Sequence, residues 1–256
     1  MKSMSSYEWL FSLKESIPKG SLFVIGLPDV GLVGPISTSF IVKQWSLKEI
    51  GYLDSEAIAP VILYHEEKPL LPVRLYGGYK RNDYIVVLHS DIAIPPEAAG
   101  GLASTLIDTA RTSSAARVFL LGGIAVPNRL NIESPKTYAA TIDSEGLSYA
   151  RSAGVEALKE GFIAGIYAQI LKEGLKKNFS VIALLAECFL NYPDPGASAS
   201  VLQALSKLTG HEVDVKPLLE QEEEIRVKMR EMMRRTMETV QKSGKEYEYT
   251  IPALYV

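Results

Sequence analysis

Three predominantly apolar runs, SLFVIG (21–26), AARVFLLGGI (115–124) and FSVIALLAE (179–187), are spaced along the chain with helix-length stretches between them. A strand that is apolar along its whole length has no face to offer to water, which is the habit of parallel strands covered by helices on both sides. The alternation predicts an α/β protein: a three-layer α/β/α sandwich around a mixed, mainly parallel sheet. Such a fold needs a large core, and 256 residues with 47% hydrophobic and 22% charged side chains can supply one without a second domain.

The intervening segments fit this scheme. GLPDVGLVGPISTSFIVKQ, after the first run, begins as a glycine-punctuated turn and becomes an amphipathic helix. APVILYHEE, LPVRLYGGY and DYIVVLH are β-rich runs separated by EKP and KRND, so at least one hairpin adds antiparallel pairing. The prolines of IPPEAAGGLASTLIDTARTS stand where a first helical turn tolerates them. Helical spacing through Leu158, Phe162, Ile166 and Ile170 predicts a helix within residues 145–177. Asp194 is placed to cap a helix that Pro195 starts, with Val201, Leu202, Leu205 and Leu208 on its buried face and Gly210 at its left-handed end.

After HEVDV the composition changes. KPLLEQEEEIRVKMREMMRRTMETVQ is acid-first and base-later, as the helix dipole favours, and carries a narrow stripe that includes Ile225, Met229, Met232, Met233 and Met237. A stripe of this kind either lies on its own domain or pairs with copies of itself, which makes these five residues candidate oligomerisation contacts. KSGKEYEYT follows and reads as a linker, and the sequence closes on YEYTIPALYV. The expected organisation is a core at 1–215, an amphipathic helix at 216–242, and a linker with a terminal segment at 243–256.

Charge and motif spacing narrow the function. A net charge of −3 and a pI near 5.8 give no electrostatic reason to expect nucleic acid. No stretch of 18 apolar residues and no apolar leader core occurs, so a cytoplasmic protein without a membrane span is expected. The single Cys188, inside VIALLAEC, is expected as a buried, inert thiol. Gly26, Gly31 and Gly34 in GLPDVGLVG lie between strand and helix, where backbone amides can cradle a phosphate, yet the spacing matches neither the dinucleotide nor the Walker pattern. Structural glycines are the competing reading. Asp29, Asp91, Glu133 and Glu187 are scattered carboxylates that spacing does not pair, and His65, His89 and His211 lack metal-site spacing. No catalytic residue, metal or cofactor is expected.

Several blocks together resemble a known family: GLPDVGLVG with its helix, SLKEIGYLDSE, LLGGIAVP, and above all NYPDPGASASVLQALSKLTGHEVDV leading into an acidic helix. They are similar, over essentially the whole chain, to archaeal members of the proteasome assembly chaperone family. The resemblance implies a nucleoside-phosphorylase-like fold without the phosphorylase's chemistry, self-assembly into a homo-oligomer, and contact with the α ring of the 20S proteasome. It also implies a role for Leu254, Tyr255 and Val256, since proteins that dock on that ring end in a hydrophobic residue, a tyrosine and any final residue. The expected function is an assembly chaperone or ATP-independent gate-opening activator. The competing expectations are an enzyme holding a nucleoside or phosphate at 26–34, and an oligomer whose terminal segment packs on a neighbouring subunit.

Overall fold

The structure, a computed structural model, describes residues 7–242. In chain order its strands are β1 (Leu10–Leu13), β2 (Leu22–Gly26), β3 (Lys48–Asp54), β4 (Leu63–His65), β5 (Lys68–Leu70), β6 (Val73–Lys80), β7 (Asp83–Ser90), β8 (Arg117–Ala125), β9 (Thr137–Thr141), β10 (Glu156–Ala157) and β11 (Val181–Cys188). The helices are α1 (Val33–Gln44), α2 (Pro96–Thr112), α3 (Ser144–Ser152), α4 (Gly165–Lys177), α5 (Pro195–Thr209), α6 (Lys216–Glu220) and α7 (Glu222–Lys242). Nine strands form one sheet in the order β1-β3-β6-β7-β2-β8-β11-β9-β10, while β4 and β5 make a separate hairpin.

The three apolar runs are β2, β8 and β11, and with β7 they form a parallel centre, β2 pairing β7 and β8, and β8 pairing β11. Outside this centre the pairing turns antiparallel at β1-β3, β3-β6, β6-β7 and β9-β11. The expectation of a mainly parallel sheet therefore holds for its middle, while the flanks are antiparallel except for the short parallel edge pair β9-β10. The physical reason lies in the connections: Arg81 and Asn82 alone separate β6 from β7, and a two-residue link can join only antiparallel strands.

Side chains alternate across the sheet. Phe23 and Ile25 point into a core shared with Leu102, Leu106 and Ile107 of α2 and Ile170 of α4, whereas Val24 points into a core shared with Ile36 and Ile41 of α1 and Leu202 and Leu205 of α5. Helices thus cover both faces. Helix α5 follows its sequence signals closely: Asp194 Oδ1 accepts from the Ala197 amide at 2.9 Å, Pro195 opens the first turn, and Gly210 closes the helix at φ 72°.

Two expectations are corrected. Leu158 and Phe162 belong to no helix: α3 ends at Ser152, α4 begins at Gly165, and Phe162 is 48% exposed. Gly154, Gly161 and Gly165, with φ of 71°, 140° and 72°, take conformations that favour glycine and interrupt the helical path. The amphipathic stretch after residue 215 is two helices rather than one, parted at Gln221.

Helix α7 lies against its own domain. Met233, 2% exposed, and Val240 enter the core on the α1/α5 side, and Ile225, Met229, Met232 and Met237 pack partly buried against it. The stripe is narrow because only one side of the helix meets the domain, while charged residues such as Lys228, Glu231 and Arg234 face water.

Candidate functional site

The turn after β2 is built for close packing. Residues 23–38 are all buried, and the three glycines each face a neighbour that leaves no room for a side chain. A Cβ on Gly26 would stand 2.4 Å from the Gly34 carbonyl oxygen, one on Gly31 (φ 64°) 2.9 Å from Cys188 Cβ, and one on Gly34 2.6 Å from the Tyr167 hydroxyl. That hydroxyl donates to the Leu121 carbonyl at 2.5 Å and accepts the Leu27 amide at 3.1 Å. Burial pushes the Tyr167 phenol far above its ordinary pKa, so it acts as a permanent hydrogen-bonding pin. A phosphate on this loop would have to displace packed backbone and side chains.

A second pin holds the same turn from the other side. Asp194, fully buried, takes the Arg129 guanidinium on both oxygens at 2.7 and 3.0 Å, and its backbone amide donates to the Gly31 carbonyl at 2.8 Å. The NYPDP block therefore caps α5 and anchors the glycine turn at once. Cys188 is buried against this turn, where Gly31 and Gly123 make room for it.

At the carboxyl end of β7 a polar group gathers around a cavity of about 370 Å³ whose walls include Ser39, Leu63, Tyr64, Tyr76 and His89. His89 Nδ1 lies 2.9 Å from the Thr38 hydroxyl and its Nε2 3.3 Å from Asp91 Oδ1. Arg74 pairs with Asp91 Oδ2 at 2.7 Å and donates to the Tyr76 hydroxyl at 2.7 Å and the Leu71 carbonyl at 2.6 Å. The order hydroxyl, imidazole, carboxylate has the outline of a nucleophile triad. Thr38 does not serve it: the residue is 0% exposed inside α1, and its hydroxyl donates back to the Gly34 carbonyl at 3.0 Å.

Burial pushes the Asp91 carboxyl up, but His89 and Arg74 outweigh it and hold the group below the ordinary carboxylate value. A depressed folded-state pKa contributes stability that is present above the unfolded value of about 4 and lost as pH falls through the folded value. Asp91→Asn is accordingly expected to lower stability at pH 7, and the gap to the native chain should close on acidification below about pH 4. Urea midpoints measured across that range check the sign; a gap independent of pH would mean that the ion pair contributes nothing.

Of the sequence-level candidates, the structure brings Asp91 and His89 together. It leaves Asp29 buried in the glycine turn, Glu133 exposed, and Glu187 beside Tyr138 on the other flank of the sheet. His65 is exposed on the β4-β5 hairpin, and His211 is buried against Trp45 with Asp83 at 2.9 Å. Arg74, Arg129, Thr38 and Tyr167 were invisible in the sequence as site residues; the one signal was Arg74 standing inside the otherwise apolar segment LPVRLY. Leu254, Tyr255 and Val256, with the linker before them, lie outside the described residues. No described helix is long and apolar enough to cross a membrane.

The fold and its pinned glycine turn define a mixed-sheet α/β protein in which that turn is a packing element. The chain belongs to the PAC2 family, whose model matches residues 23–233. It is 31% identical to Pyrococcus furiosus PbaA, described as an archaeal homolog of proteasome-assembly chaperone, with a TM-score of 0.81 over 90% of this chain and 99% of that one. Pyrococcus furiosus PbaB, described as an archaeal proteasome activator, shares the fold at 23% identity and a TM-score of 0.75, covering 88% and 98% of the two chains. An uncharacterized protein of Methanocaldococcus jannaschii is 29% identical over 226 residues, 88% of this chain and 91% of that one.

Proposed function

We propose that this protein binds the α ring of the 20S proteasome through Leu254, Tyr255 and Val256, as an assembly chaperone or gate-opening activator working in the cytoplasm. The observation that carries the reading is the likeness to PbaA along nearly the whole of both chains. The terminal sequence adds the chemistry: Leu254 and the Tyr255 ring fill an apolar pocket between ring subunits, and the carboxylate of Val256 pairs with a pocket lysine. Pro252 biases Ile251 toward an extended backbone, which presents the last residues as a probe. In a homo-oligomer several terminal segments engage one ring, and each docking after the first is intramolecular.

The test compares the intact chain with one lacking residues 254–256 for binding to isolated α rings and to complete 20S particles. Truncation is expected to weaken binding at least about 100-fold, the scale of lost avidity, with no change in the mass of the free oligomer. Preference for isolated rings marks a chaperone, and preference for complete particles an activator. Equal binding by the two chains refutes docking through this segment.

A further inference from the structure

The cavity at the carboxyl end of β7 has a charged floor that the fold does not require. Arg74 and His89, 6% and 5% exposed, line it together with Asp91, and apolar residues of similar volume would hold a core about as well as a buried ion pair does. The β4-β5 hairpin, which stands outside the main sheet, supplies the wall that carries Leu63, Tyr64 and Leu70.

The polar groups of this floor keep bonding capacity. Each terminal nitrogen of Arg74 carries two N–H groups and engages one partner, the Leu71 carbonyl for Nη1 and Asp91 for Nη2. The Tyr76 hydroxyl accepts from Arg74 Nε and retains its own proton to donate. Asp91, held charged by His89 and Arg74, has lone pairs to spare on a side chain that is 23% exposed.

Arg74 and Asp91 thus set one charge of each sign side by side, 2.7 Å apart. A ligand of a single sign meets repulsion here: phosphate from Asp91, an amine from Arg74. A molecule with a carboxylate and an ammonium on one carbon instead lays its dipole against theirs, carboxylate to guanidinium and ammonium to carboxylate. Val42, Leu63, Leu70 and the ring of Tyr64, 74% exposed, offer apolar contact to the rest of such a molecule, and about 370 Å³ lies at the small end of ligand sites.

We propose that this cavity is a binding site for a free α-amino acid with a large apolar side chain. The Arg74 guanidinium and the Tyr76 hydroxyl take the carboxylate, Asp91 takes the ammonium, and Tyr64 covers the side chain from the hairpin. The site uses none of residues 254–256, so docking and amino-acid binding stand or fall separately.

The experiment titrates the full chain with L-leucine and L-phenylalanine, reading heat and unfolding temperature. Alongside run inorganic phosphate, 4-methylpentanoate and 3-methylbutylamine, the last two being leucine without its ammonium and without its carboxylate. At least one amino acid is expected to saturate the protein, and each single-charge analogue to bind at least about 10-fold more weakly, the scale of one lost charge-assisted hydrogen bond. Tyr64→Ala, at an exposed ring, should weaken binding about 3-fold with the urea midpoint of the free protein unchanged. Arg74→Lys, which keeps the charge but not the fork, should weaken it at least about 10-fold. If that variant does not fold, Ser39→Trp, which fills the cavity from an exposed position of α1, takes its place and should abolish binding. Three results overturn the site: no saturable change in heat or unfolding temperature up to about 10 mM, phosphate or an analogue binding as tightly as the amino acid, or an affinity indifferent to Tyr64→Ala and to the variant at residue 74 or 39.

Discussion

Asp194→Ala is expected to lower the stability of the fold by about 4–6 kcal/mol. The carboxylate is fully buried and every interaction it makes is internal: Oδ2 accepts Arg129 Nε at 2.7 Å and the Phe189 amide at 3.1 Å, and Oδ1 accepts Arg129 Nη2 at 3.0 Å and the Ala197 amide at 2.9 Å. Alanine leaves the buried Arg129 guanidinium with the Ile132 carbonyl and the face of Phe189 but no anion. Breaking a buried pair from one side costs about 3–5 kcal/mol, and loss of the α5 cap about 1 kcal/mol more. Asp194→Asn keeps an acceptor for the cap and should lose less. Asp194→Ala combined with Arg129→Met should recover most of the loss, because no orphan charge remains. Urea unfolding at constant m-value reads all three; a double variant no better than Asp194→Ala would sink the orphan-charge account.

Tyr167→Ala is expected to cost about 4–8 kcal/mol by a different mechanism. The ring is fully buried between α4 and the glycine turn, and removing an aromatic side chain from a core costs about 3–5 kcal/mol through lost transfer energy and the cavity left behind. Its hydroxyl is also the partner of the Leu27 amide, and a buried donor left unpaired costs about 1–3 kcal/mol. Tyr167→Phe isolates that second effect, since the ring stays. Hydrogen exchange at the Leu27 amide should accelerate in both variants. An amide as protected in Tyr167→Phe as in the native chain would show that the phenol does not hold the turn.

These two residues also mark how far the sequence can be read. The central strands β2, β8 and β11 were legible because an apolar run excluded from water on both faces has few other places to go. Helix α5 was legible to its ends, because a capping Asp, a Pro at the first turn and a terminal Gly act within a few residues of chain. The role of Asp194 was legible only by half: the cap spans three residues, whereas its partner Arg129 is 65 positions away. The stretch around Phe162 failed because apolar spacing cannot reveal that three glycines take positive φ. Of the polar group at Thr38, Arg74, His89 and Asp91, the sequence offered His89 and Asp91 only as separate candidates; that Thr38 joins them was decided by the seating of α1 on the sheet, and that Arg74 does by the register of β6 on β7.

What the sequence determined by itself was therefore whatever depends on neighbours along the chain: the βα alternation, the caps of α5 and the amphipathic stripe of α7. Only the tertiary structure decided which glycine meets which backbone, which buried charge finds its partner, and that the stripe of α7 faces its own core. The division follows from the range of the forces: dihedral and capping preferences act over a few residues, while packing and buried ion pairs depend on contacts that exist only once the sheet has brought distant segments together.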